Sequence, residues 1–130
     1  MRRPIVWLSC LLAACSGSPA EVLPGREFEL ELGQAVRIAG TDLNVSFVAV
    51  EQDSRCPADV TCVWAGDASV NLRLLGTGCD TLMRLHTHLE PRRGEGCALS
   101  FEVRGLEPTP RSGEPPSERR YRLRLLIPAS

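Results

Sequence analysis

From Arg26 to Pro128 the chain alternates between apolar and polar residues, and a period of two is the mark of half-buried strands. Phe28, Leu30 and Leu32 are separated by Glu27, Glu29 and Glu31. Leu43, Val45, Phe47 and Ala49 fall on one face of the next run, and Ala68, Val70, Leu72 and Leu74 on one face of another. Met83, Leu85, Thr87 and Leu89, then Leu99, Phe101 and Val103, then Tyr121, Leu123, Leu125 and Ile127 repeat the pattern. No stretch holds a 3.6-residue period over the ten or so residues a helix needs. The pattern predicts about seven strands, near 27–32, 35–39, 43–51, 67–75, 81–89, 98–104 and 120–127, with turns at Leu32-Gly33-Gln34, Gly40-Thr41-Asp42 and Leu75-Gly76-Thr77-Gly78. Short strands with polar outer faces predict an all-β class, a single small antiparallel β-sandwich or barrel-like domain over residues 26–130. Trp64 stands two residues after Cys62, which is not the immunoglobulin spacing. The acidic stripe Glu27, Glu29, Glu31 and the basic Arg122 and Arg124 would pair if their strands were neighbours.

The chain opens with Met1-Arg2-Arg3, an apolar run from Pro4 to Ala14, and Cys15. Charge, a short apolar core and small residues form the build of an export signal. The run falls well short of the roughly 20 apolar residues of a membrane span. Leu12-Ala13-Ala14-Cys15 resembles the lipobox of bacterial lipoproteins. That resemblance implies cleavage of residues 1–14, diacylglyceryl transfer to the Cys15 thiol, and a membrane partner through the lipid; ordinary secretion is the alternative. Ser16 follows in place of the Asp associated with inner-membrane retention, so the expected location is the cell envelope at the outer membrane. Residues 15–25 read as the lipidated N-terminus and a tether, flexible over Ser16-Gly17-Ser18-Pro19-Ala20.

Cleavage would leave 130 − 14 = 116 residues, enough for one domain with a real core. Losing Arg2 and Arg3 gives a formal charge of 13 − 16 = −3, which gives no electrostatic case for a nucleic-acid partner. Of 6 cysteines, removing Cys10 and assigning Cys15 to lipid leaves Cys56, Cys62, Cys79 and Cys97. An even number in an exported chain reads as two disulfides. Three pairings are possible; Cys56–Cys62 and Cys79–Cys97 are favoured as nearest in sequence. A four-thiolate zinc site is disfavoured, because the spacing has no C-x-x-C pair.

Two segments break the rhythm. One is Asp53-Ser54-Arg55-Cys56-Pro57 through Val60-Thr61-Cys62-Val63-Trp64-Ala65-Gly66; the other is the proline-rich 107–119. The first resembles a D-S-R-C-P…V-x-C-x-W-A-G pattern in uncharacterised short exported bacterial lipoproteins, and Leu106-Glu107-Pro108-Thr109-Pro110 fits a later Leu-x-Pro-x-Pro of the same group. The resemblance implies a fold and a compartment and no activity. From the residues themselves, a Cys56–Cys62 bridge closes a tight loop, Pro57 stiffens it, Trp64 plugs one end of the core, Gly66 allows a sharp turn into the next strand, and Asp53 pairs with Arg55 or caps the loop. The functional alternative is an exposed recognition loop presenting Asp53, Arg55 and Asp59, with Trp64 beside them. The proline-rich segment reads as an exposed connection, with a polyproline ligand as the alternative.

His86 and His88 share one face of a strand and are the candidate copper or zinc ligands, although Arg84 on that face opposes a cation. They are the only histidines, and no Ser or Cys nucleophile motif accompanies them. An enzyme with dispersed catalytic residues such as Asp53 or Asp67 is the least favoured class. The reading is therefore a non-enzymatic envelope lipoprotein without a cofactor, a binding or structural module whose envelope partner is undefined, with metal binding through His86 and His88 as the alternative.

Overall fold

The structure is a computed structural model and describes residues 20–129. The expected leader 1–14, Cys15 and the first part of the tether lie outside those residues. Nine strands form two sheets. They are β1 (Glu21–Val22), β2 (Glu27–Glu31), β3 (Ala35–Ile38), β4 (Asn44–Asp53), β5 (Ala68–Gly76), β6 (Cys79–His86), β7 (Arg93–Gly96), β8 (Leu99–Glu107) and β9 (Arg122–Leu126). A single 3-10 turn, Pro116–Glu118, interrupts the last connection. One sheet runs β1-β3-β4-β5-β6 and the other β2-β9-β8-β7.

The alternation positions the core as expected. Val45, Phe47, Val70, Leu72 and Leu74 project from the first sheet against Leu30, Phe101, Val103, Leu123 and Leu125 from the second, and none of these is more than 1% exposed. Pairing is antiparallel with one exception, since β1 runs parallel to β3 through Glu21 opposite Arg37 and Val22 opposite Ile38. Glu21 and Val22, placed in the tether by the sequence, are therefore part of the sheet.

Three register slips shift the alternation, one of them between Val50 and Gln52 near the end of β4. Between Phe47 and Ala49 the β4–β5 register slips, so Val50 rather than Ala49 pairs with a buried residue, Val70. Between Val103 and Gly105 the β8–β9 register slips likewise, and Leu106 takes the next inward position. The outer face of the second sheet carries the expected charge ladder. Glu29 lies opposite Arg124 and Glu31 opposite Arg122, while Glu27 reaches Arg104 at 2.9 Å and Arg124 at 3.9 Å. Glu102, on the same face, is buried beneath Arg93 and Arg104.

The two disulfides have the pairing favoured by proximity, each with Cα atoms 5.9 Å apart. Cys79 starts β6 in one sheet and Cys97 lies in the β7–β8 turn of the other, so this bridge staples the sandwich across its layers. That turn joins Gly96 to Leu99 through Cys97 at φ 52° and Ala98 at φ 63°, the left-handed conformation of a two-residue hairpin. A side chain resists this conformation, so Ala98→Gly is expected to raise the stability of the protein by about 1 kcal/mol. Urea denaturation of the two proteins measures it; an unchanged or lower midpoint would show that the turn is not under backbone strain.

Candidate functional site

The two segments that broke the alternation meet at one end of the sandwich. β4 ends at Asp53 and β5 begins opposite it at Ala68, so residues 54–67 bulge from that end. The 107–119 connection between β8 and β9 runs alongside. Backbone and side chain stitch the two together: the Ala58 N–H donates to the Pro110 carbonyl at 2.8 Å, and the Ser112 N–H donates to Asp59 Oδ1 at 2.9 Å. That backbone donor is the main reason the Asp59 carboxyl sits below the usual carboxylate range.

Beneath this seam is a buried charge cluster. The Asp53 side chain is 3% exposed and accepts hydrogen bonds from Arg55 Nε and Nη2, both at 2.8 Å, and from the Tyr121 hydroxyl at 2.8 Å. Arg119, whose side chain is 6% exposed, reaches the same carboxylate at 3.2 Å. Arg55 uses its remaining donors on the Leu106 carbonyl at 2.6 Å and the Pro108 carbonyl at 2.8 Å. Burial pushes the Asp53 carboxyl up, and the donors from Arg55 and Tyr121 outweigh it, so the group stays below its ordinary range. A carboxylate saturated in this way joins the two loops and is not available to a substrate. Arg119 Nε is buried and 3.7 Å from Glu114 Oε1, with no hydrogen-bond partner among the described residues. The open cleft above it, about 710 Å³, is lined by both signs of charge, with Glu31, Glu114, Arg120 and Arg122 beside Leu32 and Tyr121.

The positions of the expected loop residues therefore divide. Asp53 and Arg55 do pair, as one reading of the sequence had it, but they face inward and are not part of an exposed tip. Asp59 is exposed and latched to Ser112. Trp64 is 82% exposed and Val63 92%, so the expectation that Trp64 plugs the core is wrong. The reason is local closure. The Cys56–Cys62 bridge and the Cys56 N–H to Ala65 carbonyl bond at 3.0 Å pinch the base of the loop, leaving no path for residues 63–64 to turn under the sheet. Leu106, Pro110 and Tyr121 bury themselves at that end instead. Gly66 works as expected: at φ 69° a Cβ there would overlap the Ser54 carbonyl.

The histidines separate as well. β6 ends at His86, whose Nδ1 lies 2.6 Å from Asp67 Oδ2. The other oxygen of Asp67 accepts the N–H groups of His88 and Leu89 at 2.9 and 3.0 Å. Burial raises the Asp67 carboxyl and these contacts, led by His86, lower it by more, so the group sits below its ordinary range. Asp67 thus caps the β6 exit, while His88 is exposed beyond the strand. Among the described residues no three His, Cys, Asp or Glu side chains are grouped to hold a metal ion.

Fold and site together define a disulfide-clamped β-sandwich with a rigid double loop at one end. No protein-family model, no curated protein and no solved structure matches the chain.

Proposed function

We propose that this protein is a lipid-anchored module of the bacterial cell envelope, held at Cys15, whose sandwich serves binding or structure rather than catalysis. The observation that carries the reading is the saturation of Asp53 by Arg55, Arg119 and Tyr121, which turns the most distinctive charged cluster of the chain into a clamp. Clamping stiffens a loop that presents Val63 and Trp64 to the surroundings. Preorganised apolar display is how a binding surface limits its entropy loss. The paired cysteines are compatible with an oxidising compartment outside the cytoplasm. The lipobox resemblance supplies the anchor, since two or more acyl chains hold a protein stably on a membrane.

Intact-mass measurement of the native protein tests this directly. The expected mass corresponds to a chain beginning at Cys15, carrying added acyl groups and lacking four thiol hydrogens. Cys15→Ser is expected to appear in the soluble fraction. Full-length unacylated protein with reduced thiols would overturn the proposal.

A further inference from the structure

Val63 and Trp64 are the most exposed large apolar side chains of the described residues, and Val60 beside them is 46% exposed. They stand on one loop pinned by the Cys56–Cys62 bridge and by the seam to 107–119. The tip is poor in charge. Between Ser54 and Gly66 the charged residues are Arg55, turned inward, and Asp59, with one oxygen on the Ser112 N–H and Arg111 nearby. A rigid tip with one Trp and two Val suits the boundary between lipid headgroups and acyl chains, where indole is preferentially accommodated.

The topology says which end of the domain faces the anchor. β1 runs parallel to β3, so from Val22 back to Ala20 the chain heads along β3 toward Ala35. The β3–β4 register places Ala35 opposite Ser46, on the way from Asn44 to Asp53. The chain therefore comes into the sheet from the side on which the 54–67 loop projects, with the Arg37 N–H donating to the Ala20 carbonyl at 3.0 Å. Ala20 lies level with Val45, and the stretch from Val45 to Asp53 pairs with Leu74 to Ala68, 74 − 68 = 6 residue steps or roughly 20 Å. Cys15 is five residues from Ala20, a reach of at most about 17 Å. An extended tether thus brings Cys15 close to the level of Asp53, so a bilayer holding its acyl groups meets the domain at the end from which the 54–67 loop projects.

We propose that the Val60–Trp64 tip docks into the lipid bilayer as a second membrane contact beside the acylated Cys15. This rests on the lipid-anchor reading above. Docking would fix the orientation of the sandwich on the membrane and turn its opposite end, with the Thr77-Gly78 and Cys97-Ala98 turns, away from the lipid.

The chain has two tryptophans, and Trp7 leaves with the leader, so the fluorescence of the processed protein reports Trp64 alone. The acylated protein is reconstituted into vesicles of phosphatidylethanolamine and phosphatidylglycerol, with and without a lipid carrying a nitroxide near its headgroup. Trp64 emission is expected to shift to the blue relative to residues 16–130 produced without the leader and held in buffer, and the nitroxide lipid to quench it about twofold, as for an indole at the interface. Val63→Glu, at a position with no packing to lose, is expected to stay acylated and vesicle-bound while its emission returns toward the value in water. Acylated, vesicle-bound protein whose Trp64 emits as in buffer and resists the nitroxide overturns docking and leaves the anchor standing. A blue shift that follows protein concentration without nitroxide quenching also overturns it, in favour of a second copy. An unacylated chain that does not associate with vesicles removes both the anchor and the docking.

Discussion

Asp53→Ala is expected to lower the stability of the protein by about 3–5 kcal/mol at neutral pH, the typical cost of leaving a buried charge without its partner. The substitution strands two guanidinium groups, with side chains 13% and 6% exposed, and removes the acceptor of the Tyr121 hydroxyl. Arg55 would still hold the Leu106 and Pro108 carbonyls, so the loops would remain near each other while their charge balance is lost. Tyr121→Phe removes the hydroxyl that donates to Asp53 and accepts from Arg119 Nη1 at 3.2 Å, leaves the ion pairs in place, and should lower stability by about 1–2 kcal/mol. Acid distinguishes the ionic part from packing. The folded carboxyl lies below its unfolded value, so its contribution is present above about pH 4, where an unfolded Asp is ionised, and is lost as the pH falls through the lower folded value. Guanidinium denaturation at pH 7 and pH 3 should show the gap between wild type and Asp53→Asn narrowing on acidification. A gap independent of pH would mean that the cluster acts through shape and not charge.

Removing the Cys79–Cys97 bridge by a double change to alanine is expected to cost about 3 kcal/mol, the chain-entropy value for a loop of this length. The Cys56–Cys62 loop is shorter and its removal should cost about 2.4 kcal/mol by the same argument. The two losses differ in kind. Cys79 and Cys97 sit partly buried against the core and join opposite sheets, so their loss loosens the contact between layers. Cys56 and Cys62 hold only the loop base. Hydrogen exchange should therefore show protection falling across β6, β7 and β8 in the first variant and only around 54–67 in the second. Equal and global effects from both would contradict this division.

The sandwich was legible because most core residues sit at alternate positions and the chain obeys that parity: Leu30, Val70, Leu72, Leu74, Leu123 and Leu125 are all buried. The extra strands were not. β7 reads Arg93-Gly94-Glu95-Gly96, with no apolar residue to mark it. Its glycines face inward, where a Cβ would meet Met83, Leu85 or Leu74, so the neighbouring strand supplies the apolar filling. β1 is two residues long and is held by an edge, not by its own pattern. The register slips at Ala49 and Gly105 leave no trace in composition. At the site, a charged pair two residues apart is readable as Asp53–Arg55, but its burial depends on Arg119 and Tyr121, more than sixty residues away. Trp64 shows the converse. Size and aromaticity suggest burial, and a six-residue disulfide separation overrides that tendency by fixing where the loop can go.

The order of strands has a consequence for how the molecule matures. β9, the last strand, lies between β2 and β8 in its sheet, and the Gly25 N–H bonds to the Ile127 carbonyl at 2.7 Å. Half of the sandwich therefore has no central strand until the carboxyl-terminal residues arrive. Contacts this distant in sequence make for slow assembly, of milliseconds to seconds in comparable all-β domains. A polypeptide of this order cannot close early: the apolar faces of β2 and β8 stay uncovered until residues 122–126 can pair between them.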